Sequence, residues 1–193
     1  FVFVEDDIFA DIQGDPTARL ATLDQLEHVI YVGGFSKTVS ASLRVGYLIA
    51  RRDLVQDLTD VKMLTSVGGS RFAEAVVATL LERGAYRKYV ERLRQRIGDS
   101  IIASLDVLTD AGWEVFHHPP GGNFLWARVP HVEDSRDLAA TAEKHGVTLA
   151  PGHYFRPNLE VSPWVRINSA YATEPRAVAF LQEAGRRPGR KRA

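Results

Sequence analysis

The chain has 193 residues, with 24 Lys plus Arg against 24 Asp plus Glu, so its formal net charge is zero. That is long enough for one large domain or two small ones, and 45% hydrophobic residues are enough to bury a core. Neutral charge argues against a whole-surface preference for nucleic acid or acidic membranes, and the absence of cysteine excludes disulfides and thiolate metal sites.

Residues 1–4 form an apolar run rich in β-formers that stops at Glu5, Asp6 and Asp7. A wholly apolar strand suits a parallel sheet covered on both faces, and acids at its C-terminal end lie where open α/β sheets place ligands. The chain opens inside this strand pattern without Met, which reads as an internal point of a longer protein. No basic start precedes an apolar stretch, so a cytoplasmic protein without a membrane segment is the expectation. Gly14, Asp15 and Pro16 mark a turn. Residues 28–32 predict a second strand running into Gly33-Gly34-Phe35-Ser36-Lys37, and residues 43–50 a third.

Residues 53–64 predict a helix with Asp53 as its N-cap. Gly68, Gly69 and Ser70 break the pattern, and a helix over 71–83 ends at Gly84. Residues 86–110 are long and amphipathic and close near Gly112. Beyond that, strands are predicted over 113–116, 123–129, 147–150 and 164–168, with helices over 135–145 and 174–184. Trp113, Trp126 and Trp164 read as core residues. The five histidines between 117 and 153 lack metal-ligand spacing, although His153 sits in a Pro-Gly loop where it would line a pocket. Arg186, Arg187, Arg190, Lys191 and Arg192 close the chain as a basic tail, either simply solvated or in contact with a polyanion.

The densest chemistry surrounds Lys37. It follows a Gly-Gly-Phe turn at the end of an apolar strand, with Ser36, Thr38, Ser40 and Ser42 around it and Arg44 seven residues on. An amine for imine chemistry needs a lowered pKa, which a neighbouring cation supplies. A phosphate dianion needs hydroxyls, backbone N–H groups and an Arg fork. This one segment offers both.

The stretch Gly33-Gly34-Phe35-Ser36-Lys37-Thr38 through Leu43-Arg44-Val45-Gly46-Tyr47 resembles the Schiff-base segment of class I/II, fold-type-I aminotransferases dependent on pyridoxal 5'-phosphate (PLP). Four further segments match in order. Val4-Glu5-Asp6-Asp7-Ile8-Phe9 resembles the strand end bearing the pyridine-nitrogen aspartate. Gly121-Gly122-Asn123-Phe124-Leu125-Trp126 resembles a strand of the small domain. Ala150-Pro151-Gly152-His153-Tyr154-Phe155 resembles the Pro-Gly-x-x-Phe loop, and Val165-Arg166-Ile167-Asn168 the strand holding the substrate-carboxylate arginine.

The resemblance implies an α/β chain: the C-terminal part of a PLP-dependent transferase fold, with a mostly parallel sheet and flanking helices, followed by a small α+β domain. Residues 1–84 would belong to the large cofactor-binding domain, and 85–193 would be a bridging helix and the small domain. It implies Lys37 as catalytic residue and Schiff-base carrier, and Asp6, Phe9, Ser36 and Arg44 as further cofactor contacts. Asp6 would pair with the ring nitrogen, Ser36 and Arg44 would hold the phosphate, and Arg166 would clamp the substrate carboxylate. Phe9 stands where most of the family has Tyr, so it cannot hydrogen-bond the cofactor's phenolic oxygen; Gly34 stands for a common Ser, and Ala41-Ser42 for Pro-Gly.

The phrases Glu-Asp-Asp-Ile-Phe-Ala-Asp and Ser-Ala-Ser-Leu-Arg-Val-Gly-Tyr are similar to the aminotransferase-like domains of MocR-type regulators of the GntR superfamily. Two functions follow. One is amino-group exchange between an amino acid and a 2-oxo acid in a homodimer. The other is a PLP- or effector-sensing domain that reaches DNA only through an upstream domain outside this chain. A product with only the fold left is a third reading. The family's phosphate-cradling turn and ring-stacking aromatic lie upstream, so this stretch alone is expected to bind the cofactor weakly or not at all.

Overall fold

The computed structural model describes residues 1–14 and 17–186. The predicted turn residues Asp15 and Pro16, and the basic residues Arg187, Arg190, Lys191 and Arg192, lie outside them. The chain divides into two compact units, Phe1–Gln95 and a second from Arg96 onward.

In the first unit β1 (Phe3–Asp6), β2 (Val29–Gly34) and β3 (Gly46–Ile49) form one sheet in that order. β1 pairs parallel with β2, and β2 antiparallel with β3, so the sheet is mixed. The connection from β1 to β2 passes through a 3₁₀ turn at Ala10–Ile12 and the short helix α1 (Leu20–Asp24), neither of which has a periodic signal in the sequence. Among the described residues β1 is not covered on both faces: Phe3 and Val4 are 56% and 65% exposed. The core of this unit is instead Ile12, Val29, Ala73, Val77 and Val90.

Helix α2 (Arg52–Ser66) buries no residue. Asp53 is not its N-cap, as predicted, because the helix begins one residue earlier; the Asp53 carboxylate accepts from Arg51 Nε at 2.7 Å instead. Helix α3 (Arg71–Glu82) is capped by Ser70, whose hydroxyl accepts from Ala73 N at 3.3 Å. Gly84 follows it at φ +65°, a conformation glycine adopts without a Cβ penalty.

Helix α4 (Ala85–Asp110) runs through the boundary between the units. Its second half buries Ile97, Ile101, Ser104 and Leu108, a 4-3-4 spacing that keeps them on one stripe. The helix ends ahead of Gly112 at φ +78°. The second unit adds β4 (Glu114–Val115), β5 (Phe124–Arg128), α5 (Ser135–Lys144), β6 (Ala150–Pro151), β7 (Trp164–Asn168) and α6 (Pro175–Gly185). The four strands form an antiparallel sheet in the order β4-β5-β7-β6.

The strand period of two sorts this sheet's faces. Leu125, Ala127, Val165 and Ile167 are buried, and the register sets Leu125 opposite Ile167 and Ala127 opposite Val165. Fully burying side chains such as Leu125 or Ile167 contributes roughly 1.5–3 kcal/mol each. The alternate residues Phe124, Trp126, Trp164 and Arg166 stand on the other face, half-buried. Of the three tryptophans only Trp113 is a core residue, its Nε1 donating to Leu181 O at 2.9 Å. Trp126 and Trp164 stack on the outer face with ring centroids 6.4 Å apart.

Candidate active site

Parallel pairing of β1 with β2 sets Asp6 opposite Val32 and brings both C-terminal strand ends to one edge of the sheet. The three acids there have different employment. Glu5 accepts from Leu20 N and Ala21 N, both at 2.9 Å, satisfying two of the unpaired amides that open α1. Asp7 accepts from Arg19 Nε at 2.5 Å and from the Tyr31 hydroxyl at 2.9 Å. The Asp7 contact raises the Arg19 pKa, and burial together with the bond to Asp7 pushes the Tyr31 phenol up to about 12. Asp6 is exposed, and among the described residues its carboxylate takes one hydrogen bond, from Ile8 N at 3.3 Å.

Gly33, near the end of β2, has a packing reason. A Cβ on Gly33 would run into the ring of Tyr47, its cross-strand partner. Past the strand, Phe35 N donates to Val45 O at 3.1 Å, and Phe35 O accepts from Val39 N at 2.8 Å and Ser40 N at 3.3 Å. These bonds fold residues 35–40 into a tight turn with Lys37 at its outside. Lys37 is exposed, and its Nζ lies 5.3 Å from the centre of the Phe9 ring. Ser36 is half-buried beside it, and Thr38 on the other side is buried.

The Ser40 hydroxyl accepts from Ser42 N at 3.2 Å and opens a 3₁₀ turn, Ala41–Leu43. That turn closes on Arg44 in the left-handed region, φ +52°. A non-glycine residue there costs about 1–2 kcal/mol, which surrounding structure must supply. Arg44 is exposed, and neither it nor Lys37 makes a side-chain hydrogen bond or ion pair with another described residue. Asp6, Phe9, Ser36, Lys37 and Arg44 thus all belong to the first unit, on β1, β2 and the segments leaving them.

Arg166 belongs to the second unit. On β7 it pairs with Trp126 across from β5 and with Ala150 of β6. Its guanidinium carbon lies 4.2 Å from the Phe124 ring centre and 5.0 Å from that of Phe155. The Phe155 ring in turn meets Trp126 edge to face at 5.1 Å. These residues line a cleft of about 270 Å³, and the guanidinium is the only charged group among the described residues that line it. The 3₁₀ turn Gly152–Phe155 delivers Phe155 to it. His153 in the same turn contacts the Tyr154 ring at 4.0 Å, and its buried Nδ1 has no hydrogen-bond partner among the described residues.

The sequence marks Thr38 only as one of the hydroxyls around Lys37, and gives Asp11, Tyr86 and Tyr89 no role at the site. The Tyr86 hydroxyl donates to Asp11 at 2.5 Å and stands 3.1 Å from Thr38 Oγ1; the Tyr89 hydroxyl donates to Thr38 O at 2.8 Å. The partners are 48 to 75 residues apart in sequence, so no local pattern announces them.

The family model described as aminotransferase class I and II matches residues 1–181. The HTH-type transcriptional regulator NorG of Staphylococcus aureus (strain USA300) is 36% identical over 159 residues, covering 79% of this chain and 35% of that protein. The kynurenine aminotransferase of Pyrococcus horikoshii superposes with a TM-score of 0.84 at 25% identity over 96% of this chain and 47% of that one. LysN of Thermus thermophilus, an α-aminoadipate aminotransferase solved with N-(5'-phosphopyridoxyl)-L-leucine, gives 0.81 at 27% identity over 95% and 50%. The chain therefore spans half or less of the length of these relatives. With ordered motifs, a sheet edge bearing Asp6 and Lys37, and a family model matching nearly the whole sequence, the chain belongs to the class I and II aminotransferase family.

Proposed function

We propose that this chain carries the lysine-bearing half of a PLP-dependent aminotransferase, exchanging an amino group between an amino acid and a 2-oxo acid. Residues 1–84 would be the C-terminal portion of the large domain, and 85–193 the bridging helix and small domain. The observation that carries the proposal is the Lys37 amine, 5.3 Å from the Phe9 ring, in the turn that leaves the strand beside the one that ends in Asp6.

The donor set fits PLP: a primary amine, a guanidinium and a hydroxyl within nine residues, with a carboxylate on the adjacent strand end. The cofactor, when bound, supplies an aldehyde that condenses with amines and a ring that accepts the electrons left when an α-proton departs. Lys37 holds the cofactor and, once released by the substrate, moves that proton as general base. Asp6 would keep the ring nitrogen protonated; among the described residues it accepts one bond, from Ile8 N, which leaves room for that. Ser36 and Arg44 bind the phosphate, Arg with a planar fork suited to a dianion. Phe9 offers the cofactor an apolar contact and no hydrogen bond. Arg166 takes the substrate carboxylate, its guanidinium beside the Phe124 and Phe155 rings and its N–H groups serving as donors.

A homodimer in the cytoplasm completes this proposal. No helix among the described residues is long and apolar enough to cross a membrane. Adding an amino acid to the PLP-loaded full-length protein should convert the cofactor's visible absorbance from its aldehyde to its amine form. Failure of every amino acid tried to cause that conversion would overturn the enzyme, and an unchanged absorbance band in Lys37→Ala would remove the lysine from its role.

The 36% identity to NorG supports a second reading, in which the same site binds PLP or an effector and signals to a DNA-binding domain outside this chain. A full-length protein that binds an operator DNA but never converts its cofactor would favour it.

A further inference from the structure

The Lys37 side chain has no hydrogen bond or ion pair with a described residue to fix it, so the position of its amine is set by the backbone of residues 36–38. The turn's own bonds, from Val39 N and Ser40 N to Phe35 O, determine its local shape but not where it stands. Together with the bond from Phe35 N to Val45 O, two tyrosines one turn apart on the first half of α4 do that. We infer that Tyr86 and Tyr89 are positioning residues for Lys37: their hydroxyls pin the lysine turn and the Phe9-bearing turn to one helix, and so set the amine against Phe9 and Asp6. This inference rests on the reading of Lys37 as the cofactor's lysine.

The contacts fall on both sides of Lys37. Tyr89 donates to Thr38 O at 2.8 Å, and Thr38, the residue after the lysine, is 5% exposed. Phe35, two residues before the lysine, meets the Tyr86 ring edge to face at 5.5 Å. The Tyr86 hydroxyl is the junction. It has one proton to give, and Asp11 at 2.5 Å is its acceptor, while its oxygen stands 3.1 Å from Thr38 Oγ1 and can accept from it. Asp11 lies two residues after Phe9, in the turn Ala10–Ile12. Arg94 Nε holds the same turn from the helix, donating to Asp11 O at 2.7 Å. A single phenol thus bridges the segment that leaves β1 and the segment that leaves β2.

Burial and the bond to Asp11 both raise the Tyr86 pKa, so the junction stays a neutral donor at working pH. The chemistry is sensitive to such a strut, because reacting groups displaced by about 1 Å lose on the order of a hundredfold in rate.

The test uses Tyr86→Phe, Tyr89→Phe and the double variant in the full-length protein. Phenylalanine keeps the ring and its packing on Phe35, so each change removes only a hydroxyl. In the cofactor-free protein, amide exchange at residues 36–40 should rise about three- to tenfold per lost bond, the effect of one hydrogen bond on a local opening equilibrium. In the loaded protein the pH at which the visible absorbance changes should move, and kcat should fall about tenfold or more while KM stays within about twofold. Tyr86→Leu, which also loses the edge contact, should show the larger exchange. Wild-type exchange together with a wild-type spectral pH profile in the double variant overturns the inference. Faster exchange with both the pH profile and kcat unchanged also overturns it, leaving the tyrosines as fold contacts only. A wild-type protein that takes up no cofactor refutes the role of Lys37 itself, and the exchange measurement still decides whether the tyrosines hold its turn.

Discussion

Truncating Arg166 to alanine isolates the carboxylate clamp. Arg166 has no acidic partner among the described residues; its contacts are the Phe124 and Phe155 rings, at 4.2 and 5.0 Å. Cation–π contacts of this half-exposed kind contribute about 0.5–1 kcal/mol each, so the fold should lose no more than about 2 kcal/mol. A bound carboxylate would lose more. Removing one partner of a hydrogen-bonded charge pair costs on the order of 2–5 kcal/mol, roughly 30- to 5,000-fold in affinity. Isothermal titration of the full-length protein with an amino acid and with its amide separates the two effects. The alanine variant should weaken the carboxylate ligand by that factor and the amide by about tenfold or less. Phe155→Leu should keep the charge, free the guanidinium on one side and weaken the carboxylate ligand by only about two- to fivefold. Equal losses for carboxylate and amide in Arg166→Ala would refute the clamp, since a charge-specific contact cannot treat a charged and a neutral ligand alike.

Gly152→Ala should destabilise the second unit by about 1–3 kcal/mol, lowering Tm in a thermal melt by roughly 2–4 °C per kcal/mol. The added Cβ would lie 2.5 Å from Trp164 O, a backbone atom that cannot move aside without disturbing β7. Trp113→Phe removes the donor to Leu181 O, a loss of about 0.5–1.5 kcal/mol that a shift of the urea midpoint at constant slope should report. An unchanged midpoint would mean that this bond adds nothing to stability. At alkaline pH, Tyr31 sets a further dependence. Its folded pKa, about 12, exceeds the unfolded value of 10.0, so the stabilisation is complete below pH 10 and is lost as pH rises towards 12. Tyr31→Phe should flatten stability against pH in that window, and an identical slope in the two proteins would contradict the Asp7 bond.

The sequence by itself carried what local rules control. Apolar strand runs placed β7 at Trp164–Asn168, and an amphipathic helical pattern put α4 at Ala85–Asp110, one residue from its predicted start. Ser70, Gly84 and Gly112 announced helix ends because capping and left-handed turns depend on single residues and their neighbours. Five short motifs in order disclosed the family and the identity of Lys37, Asp6 and Arg166 as its candidates. Asp53 shows the limit of the local rule: a good capping residue stands inside α2, because the start of the helix moved by one position.

What only tertiary structure decided is which polar groups are already spoken for. Glu5, Asp6 and Asp7 are alike in sequence, yet among the described residues Glu5 is taken by the amides of α1, Asp7 by Arg19 and Tyr31, and Asp6 by one neighbouring amide. Likewise Trp113 is core while Trp126 and Trp164 sit on an outer sheet face beside Arg166, a division made by strand register and helix packing together. The Tyr86–Asp11–Thr38 junction joins residues up to 75 positions apart. A hydrogen bond needs its donor and acceptor within about 3 Å, and only the folded chain brings such distant groups that close.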